Sequence, residues 1–478
     1  MKNKKMRFIA LFLASVMILS LAACRSARSM NNGSVPADSS EPDWFNEEGT
    51  TTVIGNANGG GKSNTNTGKS LKDNTANVVK SEDFPWPNLK FNGNTVTLLS
   101  IDVSEAKSAL KERQILKKQY GLEVKFVSAS YFQLETKLLQ MHAAGNAPDL
   151  CYYKWPSHEY LGMALKGMLR DVGEFVNLKD KALWGDLTTA YAQSKYSGHN
   201  YMAITGMSRG PYVLYNKKIF RDMGVDDLWE TYKANPNAWD WNKLKEIGQA
   251  TTDKNSNIVG LVTDDCGAFW HTTGQLYGEW GATRAATKVN MKNQAFARAA
   301  EFITQGRTDK WLNTAVQNTI EVFVNDAAAM AFAYTDIEDA VAAIAKRGDL
   351  GIVPIPKDPQ AKTRWNYKHL YGYCMPTNSK NPNGGLAFIL ASRYHRITDD
   401  GLEDEEKAYR NLGLTDLNIQ QLFEPDKNGS PIIDPASDLG YTNVWNCVLH
   451  EHPWSSTFAG ETQDVTNSYI DRVFAGVE

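Results

Sequence analysis

The strongest constraint on the fold of this chain is an alternation of strand and helix patterns that begins near residue 94. Residues 94–100 predict a β-strand, and residues 105–120 predict an amphipathic helix. Residues 122–127 predict a second strand and residues 132–144 a second helix, and a glycine directly follows each helix pattern. Because parallel strands need a long crossover connection, usually a helix, this order predicts an α/β fold with a largely parallel sheet.

The size and charge of the chain narrow its class. With 478 residues and 42% hydrophobic content, the chain can bury one large or two medium cores, and two domains are expected. The formal net charge is −3. A nucleic-acid-binding protein carries a basic face, so we expect no nucleic-acid partner.

The N-terminus predicts export. An apolar run, Phe8–Ala23, follows four basic residues, and it is shorter than the roughly 20 residues that a membrane span needs. Its end, Leu-Ala-Ala-Cys at residues 21–24, resembles the bacterial lipobox, which implies a signal peptide at 1–23 and a lipid, palmitate included, on Cys24. The alternative is an ordinary signal followed by a cysteine by chance. Removal of residues 1–23, which contain four basic residues and no acidic one, would leave a charge of −7.

Residues 24–80 predict a flexible tether. This stretch is rich in Ser, Asn, Gly and Thr and has too few large apolar residues to form a core. No apolar run comparable to Phe8–Ala23 recurs later, so the N-terminus is the expected membrane attachment. The expected location is the extracellular face of the cell membrane, with a Gram-positive type of envelope favoured and a periplasm left open.

Four cysteines remain beyond Cys24, namely Cys151, Cys266, Cys374 and Cys447. None of them forms a C-x-x-C pair, so a zinc knuckle or a redox motif is not expected. Two disulfides or four buried thiols are both compatible with this spacing.

Several short motifs occur in the order found in one protein family. Residues 144–150, Ala-Gly-Asn-Ala-Pro-Asp-Leu, follow an amphipathic helix and are similar to the A-G-x-x-P-D strand entry of bacterial extracellular solute-binding proteins of family 1, the sugar-type receptors of ABC importers. Further segments resembling that family are 167–172, 201–204, 212–217, 220–224, 238–241, 328–332, 351–356 and 371–379. The resemblance extends over residues 91 to about 395.

The resemblance implies a fold and a mode of action. It implies two α/β lobes of the periplasmic-binding-protein-like type II fold, joined by crossover hinge strands, with the ligand in the cleft between them. By this analogy lobe 1 comprises 88–205 plus 336–372, and lobe 2 comprises 206–335 plus 373–478. A ligand that touches both lobes would favour the closed form, which the permease subunits of an ABC importer can distinguish from the empty receptor. A monomer without a cofactor is expected.

Aromatic residues near predicted strand ends indicate a carbohydrate ligand, an oligosaccharide in particular. The flat C–H faces of sugar rings pack on Trp and Tyr, and ligands of open α/β sheets bind at the carboxyl ends of the strands. The expected ligand-binding residues are Tyr153, Lys154, Trp155, Met207, Arg209, Asp265, Phe269, Trp270, Tyr334, Asp336, Trp365, Tyr371, Trp445 and Trp454. Core packing for the aromatics, and a helix N-cap for Asp336, are the alternatives.

The charge of the ligand is left open by the sequence. If Lys154 and Arg209 both lined the cleft, they would suit an anionic sugar such as a uronate, whereas a neutral oligosaccharide would use them only as hydrogen-bond donors. A receptor for an anionic or other non-sugar solute is therefore the first alternative.

Three patterns suggest catalysis, and we discount each. Gly206–Gly210 matches G-x-S-x-G at Ser208, but strand-like residues follow where a nucleophile elbow needs a helix. The cluster Cys447, His450 and His452 lacks an evident fourth metal ligand, and the separation of the carboxylates of Asp264–Asp265 from any partner is unknown. We predict no enzymatic activity; a surface glycan or ester hydrolase, and more remotely an adhesin, are the rival hypotheses.

Overall fold

The computed structural model describes residues 78–101, 109–130, 133–153, 158–263, 267–314, 318–333, 338–437 and 456–475. The predicted signal peptide, Cys24 and nearly all of the predicted tether lie outside these ranges. Within them, no helix combines the length and the apolar character that a membrane crossing requires.

Helices and strands alternate along most of the described chain. The helices are α1 Leu110–Tyr120, α2 Leu134–Ala143, α3 His158–Leu165, α4 Lys181–Trp184, α5 Leu187–Gln193, α6 Lys217–Asp222, α7 Leu228–Ala234, α8 Trp241–Ala250, α9 Gly267–His271, α10 Gln294–Thr308, α11 Thr319–Val324, α12 Glu338–Lys346, α13 Pro382–Ile397, α14 Asp399–Asn411, α15 Asp416–Leu422, α16 Glu424–Asn428 and α17 Ser456–Phe474. The strands are β1 Thr95–Ser100, β2 Glu123–Ser128, β3 Leu150–Tyr152, β4 Ala203–Met207, β5 Tyr212–Asn216, β6 Val259–Val262, β7 Gly278–Glu279, β8 Lys288–Val289, β9 Leu312–Asn313, β10 Ala328–Ala333, β11 Leu350–Pro354, β12 Trp365–Tyr367, β13 Leu370–Cys374 and β14 Ser430–Ile432.

The first sheet has the order β2-β1-β3-β13-β4. Strands β1, β2 and β3 run parallel, and β13 runs antiparallel to both of its neighbours. The core on this sheet includes Leu116 of α1, Leu138 of α2 and Phe388 of α13, each at most 1% exposed. One returning strand, β13, therefore makes an otherwise parallel sheet mixed.

The second sheet has the order β11-β5-β10-β6-β9, and here β5 is the strand that runs antiparallel to its neighbours. Alternate residues of β5 point to two separate cores: Val213 and Tyr215 pack with α8 and α10, while Tyr212 and Leu214 pack with α12 and α15. Helices therefore cover both faces, as expected for strands with near-continuous apolar sequence.

The structure confirms the local predictions for the first strands and helices. β1, β2 and α2 lie within one or two residues of the predicted limits, while α1 begins at Leu110 and residues 102–108 lie outside the description. Gly121 and Gly145 adopt φ values of 70° and 67°, a conformation that ends a helix at little cost only for glycine. Asp240 caps α8 by accepting from the N–H groups of Asn242 and Lys243.

Three described segments lie on the other sheet from the one expected. α12 and β11 fall in 336–372, which was grouped with lobe 1, yet α12 packs on the second sheet and β11 pairs there with β5. α13 falls in 373–478, grouped with lobe 2, yet it packs on the first sheet, where buried Arg393 donates hydrogen bonds to the carbonyl oxygens of Leu183 and Thr205. The local pattern identifies a strand or a helix, whereas the choice of sheet depends on long-range pairing that no local motif encodes.

Within the described residues, three chain passages join the two sheets. The first crossover, residues 208–211, connects β4 to β5; the second, residues 355–369, connects β11 to β13 and contains β12; the third leads from α13 to α14. Residues of α14, including Leu402 and Tyr409, pack on the second sheet.

A paired arginine ties the first crossover to the third. The two terminal nitrogens of Arg209 lie 2.6 and 2.8 Å from the two carboxylate oxygens of Glu405 on α14, and one of them donates to the hydroxyl of Tyr409 at 2.6 Å. The guanidinium also lies 4.4 Å from the ring centre of Phe423. Burial by itself would raise the pKa of Glu405, but the charge and hydrogen bonds of Arg209 outweigh it and lower that pKa to about 2.

Glycines let the second sheet approach its helices closely. A Cβ at Gly260 of β6 would lie 2.0 Å from the carbonyl oxygen of Gly248 on α8, and one at Gly248 would lie 2.4 Å from the ring of Trp311. These contacts are with backbone or with a buried indole, neither of which can move away easily.

We predict that Gly260→Ala destabilises the protein by at least about 2 kcal/mol, because the added methyl group overlaps the backbone of α8. Gly460→Ala is the matched control: Gly460 lies inside α17 with open space around its Cβ position, so alanine should add about 0.5–1 kcal/mol of stability through helix propensity. Urea unfolding of the two variants measures both effects. Equal stability of the two variants would contradict the close packing.

A second prediction concerns acid stability. The pKa of Glu405 is about 2 when folded and about 4.3 when unfolded, so the Arg209 pairing contributes stability that is complete above about pH 5 and is lost as the pH falls toward 2. The wild type should therefore lose about 2–3 kcal/mol relative to Glu405→Gln between pH 5 and pH 2. Urea unfolding at each pH measures the difference.

Glu403→Gln on the same helix is the control, because Glu403 and its partner Lys407 are 52% and 65% exposed. An exposed pair contributes little, so this variant should follow the wild type at every pH. A constant gap between wild type and Glu405→Gln across the range would show that the carboxylate is not held ionised.

Candidate functional site

Both sheets present their carboxyl edges toward the crossovers. β4 runs with the parallel strands of the first sheet and ends at Met207, and only residues 208–211 separate it from β5, a span of at most about 17 Å. In the same way β11 runs with the parallel strands of the second sheet and leads back to β13. The chain thus leaves each sheet at its carboxyl edge, which is where open α/β sheets bind ligands.

Hydrogen bonds hold the first two crossovers together. The N–H of Ser208 donates to the carbonyl oxygen of His369 at 2.8 Å, and the N–H of His369 donates to Oγ of Ser208 at 2.9 Å. Nζ of Lys368 donates to the carbonyl oxygen of Arg209 at 2.9 Å. Ser208 and Lys368 are 2% and 3% exposed. We call residues 207–211 and 365–371 the crossover junction.

A stacked histidine joins this junction to the second sheet. The ring of His271 on α9 lies 3.9 Å from the ring of Tyr367 at an interplanar angle of 5°, and its Nε2 lies 3.2 Å from Oδ2 of Asp434. Asp434 also accepts from the N–H of Tyr277 at 2.8 Å, and the hydroxyl of Tyr367 lies 2.7 Å from Oγ of Ser437. These contacts hold the second crossover against α9 and against residues 434–437.

His369 is neutral near pH 7. Burial, and then the nearby charge of His271, lower the pKa of His369 to about 4. A neutral imidazole at this position avoids adding a positive charge beside buried Lys368.

Three of the expected ligand-binding residues lie in cores. Tyr153 is 4% exposed and its ring centre lies 4.4 Å from that of Tyr160 in the first core. Phe269 and Trp270 are 0% and 1% exposed in the second core, where the ring centres of Phe269 and Phe332 lie 4.8 Å apart. α9 is a single helical turn packed on the sheet, so its large apolar side chains turn inward and leave no exposed face for a ligand in this conformation.

Four expected residues lie at the crossover junction. Met207, Trp365 and Tyr371 are each partly exposed, and the indole of Trp365 covers Gly274 so closely that a Cβ there would be 2.4 Å from Nε1. Tyr371 pairs with Gly206 in the sheet. The guanidinium of Arg396 lies over the ring of Tyr371, 5.9 Å from the ring centre. Arg209, the fourth, is engaged by Glu405 instead of being free in a cleft.

The remaining expected residues lie outside the described ranges. They are Lys154, Trp155, Asp265, Tyr334, Asp336, Trp445 and Trp454, together with Asp264 and the cluster Cys447, His450 and His452. In the chain, Lys154 and Trp155 follow β3, Asp265 follows β6, and Tyr334 and Asp336 follow β10.

Sequence reasoning missed His271, Lys368 and Asp434. A histidine directly after Phe269 and Trp270 was a usable signal, because a polar group at the end of an apolar turn needs a partner when it is buried. Lys368 and Asp434 carry no comparable local signal, since each is a single charged residue outside any recognisable motif.

Ser208 does not lie in a nucleophile elbow. The chain continues from it through the first crossover into β5, so no helix follows, as the sequence predicted. Its hydroxyl accepts the N–H of His369. The arrangement is that of a hinge between two sheets with facing carboxyl edges.

Solved structures of solute-binding proteins have the same fold. An ABC substrate-binding protein from Listeria monocytogenes, solved in complex with cycloalternan, is 18% identical over 80% of this chain and 99% of its own, with a TM-score of 0.59. The GacH receptor of Streptomyces glaucescens, solved with acarbose, is 16% identical over 80% and 99%, with a TM-score of 0.56. UgpB from Mycobacterium tuberculosis, solved with glycerophosphocholine, is 15% identical over 80% and 99%, with a TM-score of 0.58. No curated protein matches the chain.

The family itself is shown by the sequence match. Residues 100–389, more than half of the chain, match the bacterial extracellular solute-binding protein family. The predicted fold class, a two-lobe α/β structure of the periplasmic-binding-protein-like type, is confirmed by the two mixed sheets and by the likeness to these solved structures. This chain therefore belongs to the bacterial extracellular solute-binding protein family.

Proposed function

We propose that this protein captures a neutral oligosaccharide between its two sheets and delivers it to the permease subunits of an ABC importer. The observation that carries the proposal is family membership over residues 100–389 together with two facing carboxyl edges joined at the crossover junction. The family is one of solute-binding proteins, and we propose no catalytic step.

The ligand class draws support from the solved relatives. Proteins of this fold were solved with cycloalternan, with acarbose and with maltotetraose, all of them carbohydrates, and one was solved with glycerophosphocholine. Their sequence identity to this chain is 18% or lower, so they support a carbohydrate ligand without identifying it.

The charges at the crossover junction favour a neutral ligand over an anionic one. Arg209 was one of two cations that could have attracted a uronate, and its charge is balanced by the ionised Glu405 in a two-point contact. Buried Lys368 donates to the carbonyl oxygen of Arg209. An anionic ligand would have to compete with Glu405 for the guanidinium, and separating this partly buried, two-point pair is costly.

We propose that the sugar rings pack on aromatic side chains at the junction and that segments after β3, β6 and β10 complete the cleft. Trp365 and Tyr371 are the partly exposed aromatics of the junction. Lys154, Trp155, Asp265, Tyr334 and Asp336 follow the carboxyl ends of those strands in the chain, and Trp445 and Trp454 precede α17. Polar groups there would bind the hydroxyls, and the aromatic faces would bind the C–H faces.

Closure of the lobes is the proposed signal to the permease. A ligand that contacts both sheets stabilises the closed arrangement only by its differential affinity for the two states. We further propose that Cys24 carries a lipid and that residues 24–80 tether the receptor at the extracellular face of the membrane. A tether of this length raises the local concentration of the receptor at its transporter.

A thermal-shift screen of the purified protein tests the ligand class. A ligand at about 100 times its Kd adds about 2.7 kcal/mol of stability, so neutral oligosaccharides should raise the Tm. Matched uronates, glycerophosphodiesters and divalent metals should not. A shift confined to an anionic compound would replace the proposed ligand class, and product formation from a glycan or ester would favour the rival hydrolase.

The screen leads to a test of one residue. We expect Trp365→Ala to weaken binding of the sugar found in the screen at least about tenfold, because it removes a stacking face worth about 1.4 kcal/mol or more. Trp86→Ala is the control: Trp86 packs on Phe84, Tyr120 and Tyr394 at the first sheet and should leave the Kd unchanged. Titration calorimetry measures both. Equal Kd values for the two variants would remove Trp365 from the site.

A further inference from the structure

Two buried cysteines face each other across the first sheet. Cys151 in β3 and Cys374 at the end of β13 are direct partners in the antiparallel pairing of these strands. Both are 0% exposed, and both are free thiols in this structure. Residues paired in this way project to the same face of the sheet, so the two sulfurs are neighbours.

The Cα separation of the two cysteines falls within the range for a covalent bridge. The N–H of Tyr153 donates to the carbonyl oxygen of Gly372 at 2.9 Å, so these two residues form a hydrogen-bonded pair. In the same register, Cys151 and Cys374 form the pair two positions away. Positions two residues apart in an antiparallel ladder are equivalent, so this is also a hydrogen-bonded pair, with Cα atoms about 5.5 Å apart. Disulfides have Cα separations of about 4.4–6.8 Å, most often 5.5–6 Å.

The surroundings decide when the thiols can react. The hydroxyl of Tyr160 lies 3.6 Å from Sγ of Cys151 in the same core. Burial, and then the neighbouring Cys151, raise the pKa of the Cys374 thiol well above its usual value. Because both thiols are fully buried and out of reach of an oxidant, oxidation must precede closure of the core or require its opening.

We propose that Cys151 and Cys374 form a cross-strand disulfide when the exported protein folds. The two thiols lose two protons and two electrons, an S–S bond forms, and a disulfide oxidant outside the cell, either a small molecule or an oxidoreductase, is reduced to two thiols. The bridge clamps β13, the strand that leaves the crossover junction, to β3. This inference rests on the proposed extracellular location, because disulfides persist in oxidising compartments.

Peptide mapping of the full exported chain tests the bridge. The protein is unfolded, reduced, and refolded with mixed oxidised and reduced glutathione; free thiols are then alkylated before digestion without reductant. The expected product joins the peptides of Cys151 and Cys374, with a mass lower by two hydrogen atoms than the sum of the two reduced peptides. Separate alkylation of both cysteines, or a bridge from either of them to Cys266 or Cys447, would overturn the inference.

Stability gives a second readout. The bridged protein should melt at least about 5 °C above the reduced protein, because the bridge closes a very long loop. The double variant Cys151→Ser/Cys374→Ser should show no such difference between oxidising and reducing conditions, whereas Cys266→Ser/Cys447→Ser should keep it. A redox-dependent shift that survives in the first variant would contradict the assignment. Folded reduced protein should oxidise at least about tenfold more slowly than unfolded protein.

Thiol trapping on intact cells completes the test, and its failure is distinct from failure of the proposed function. A pair that stays reduced at the cell surface would overturn the inference even if glutathione can form the bridge during refolding. A protein that carries the bridge but binds no carbohydrate in the screen would refute only the proposed ligand.

Discussion

The pairing of the first two crossovers is the constraint on which the rest of the structure depends. β4 and β13 are neighbours in the first sheet, β5 and β11 are neighbours in the second, and the same two passages of chain connect them. The exchange of hydrogen bonds between Ser208 and His369 continues this pairing through the gap between the sheets. Because each passage leaves a sheet in the direction of its parallel strands, the carboxyl edges of both sheets face one another.

The charged side chains at the junction have partners within the protein, and this shapes what can bind there. Arg209 is held by Glu405 and Tyr409, Lys368 by the carbonyl oxygen of Arg209, and His271 by Asp434 and the ring of Tyr367. Buried charges require such partners, since an unpaired ion in a protein interior is strongly disfavoured. The charges therefore serve the hinge, which leaves aromatic faces and neutral polar groups as the more available contacts for a ligand.

Much of the fold could be predicted from local sequence. The strands β1 and β2 were predicted from local sequence patterns, and the family motifs at 212–217, 328–332 and 351–356 coincide with β5, β10 and β11. The candidate site was less predictable. Phe269 and Trp270 are aromatic residues of the kind that stack on sugar rings, but the short helix α9 packs on the second sheet and directs both side chains into the core. Aromatic type indicates burial and ligand stacking equally well, so type alone does not separate the two.

By itself the sequence determined the class of structure, the family and the positions of most strands, because hydrophobic periodicity, glycine stops and short motifs are local properties of the chain. Only the tertiary structure decided that β11 joins the second sheet, that α13 packs on the first, that Arg209 pairs with Glu405 across almost 200 positions, and that Cys151 meets Cys374. These outcomes depend on which distant segments pack together. Which segments pack together is decided by burial and strand pairing over the whole chain, so it cannot be predicted from any single stretch of sequence.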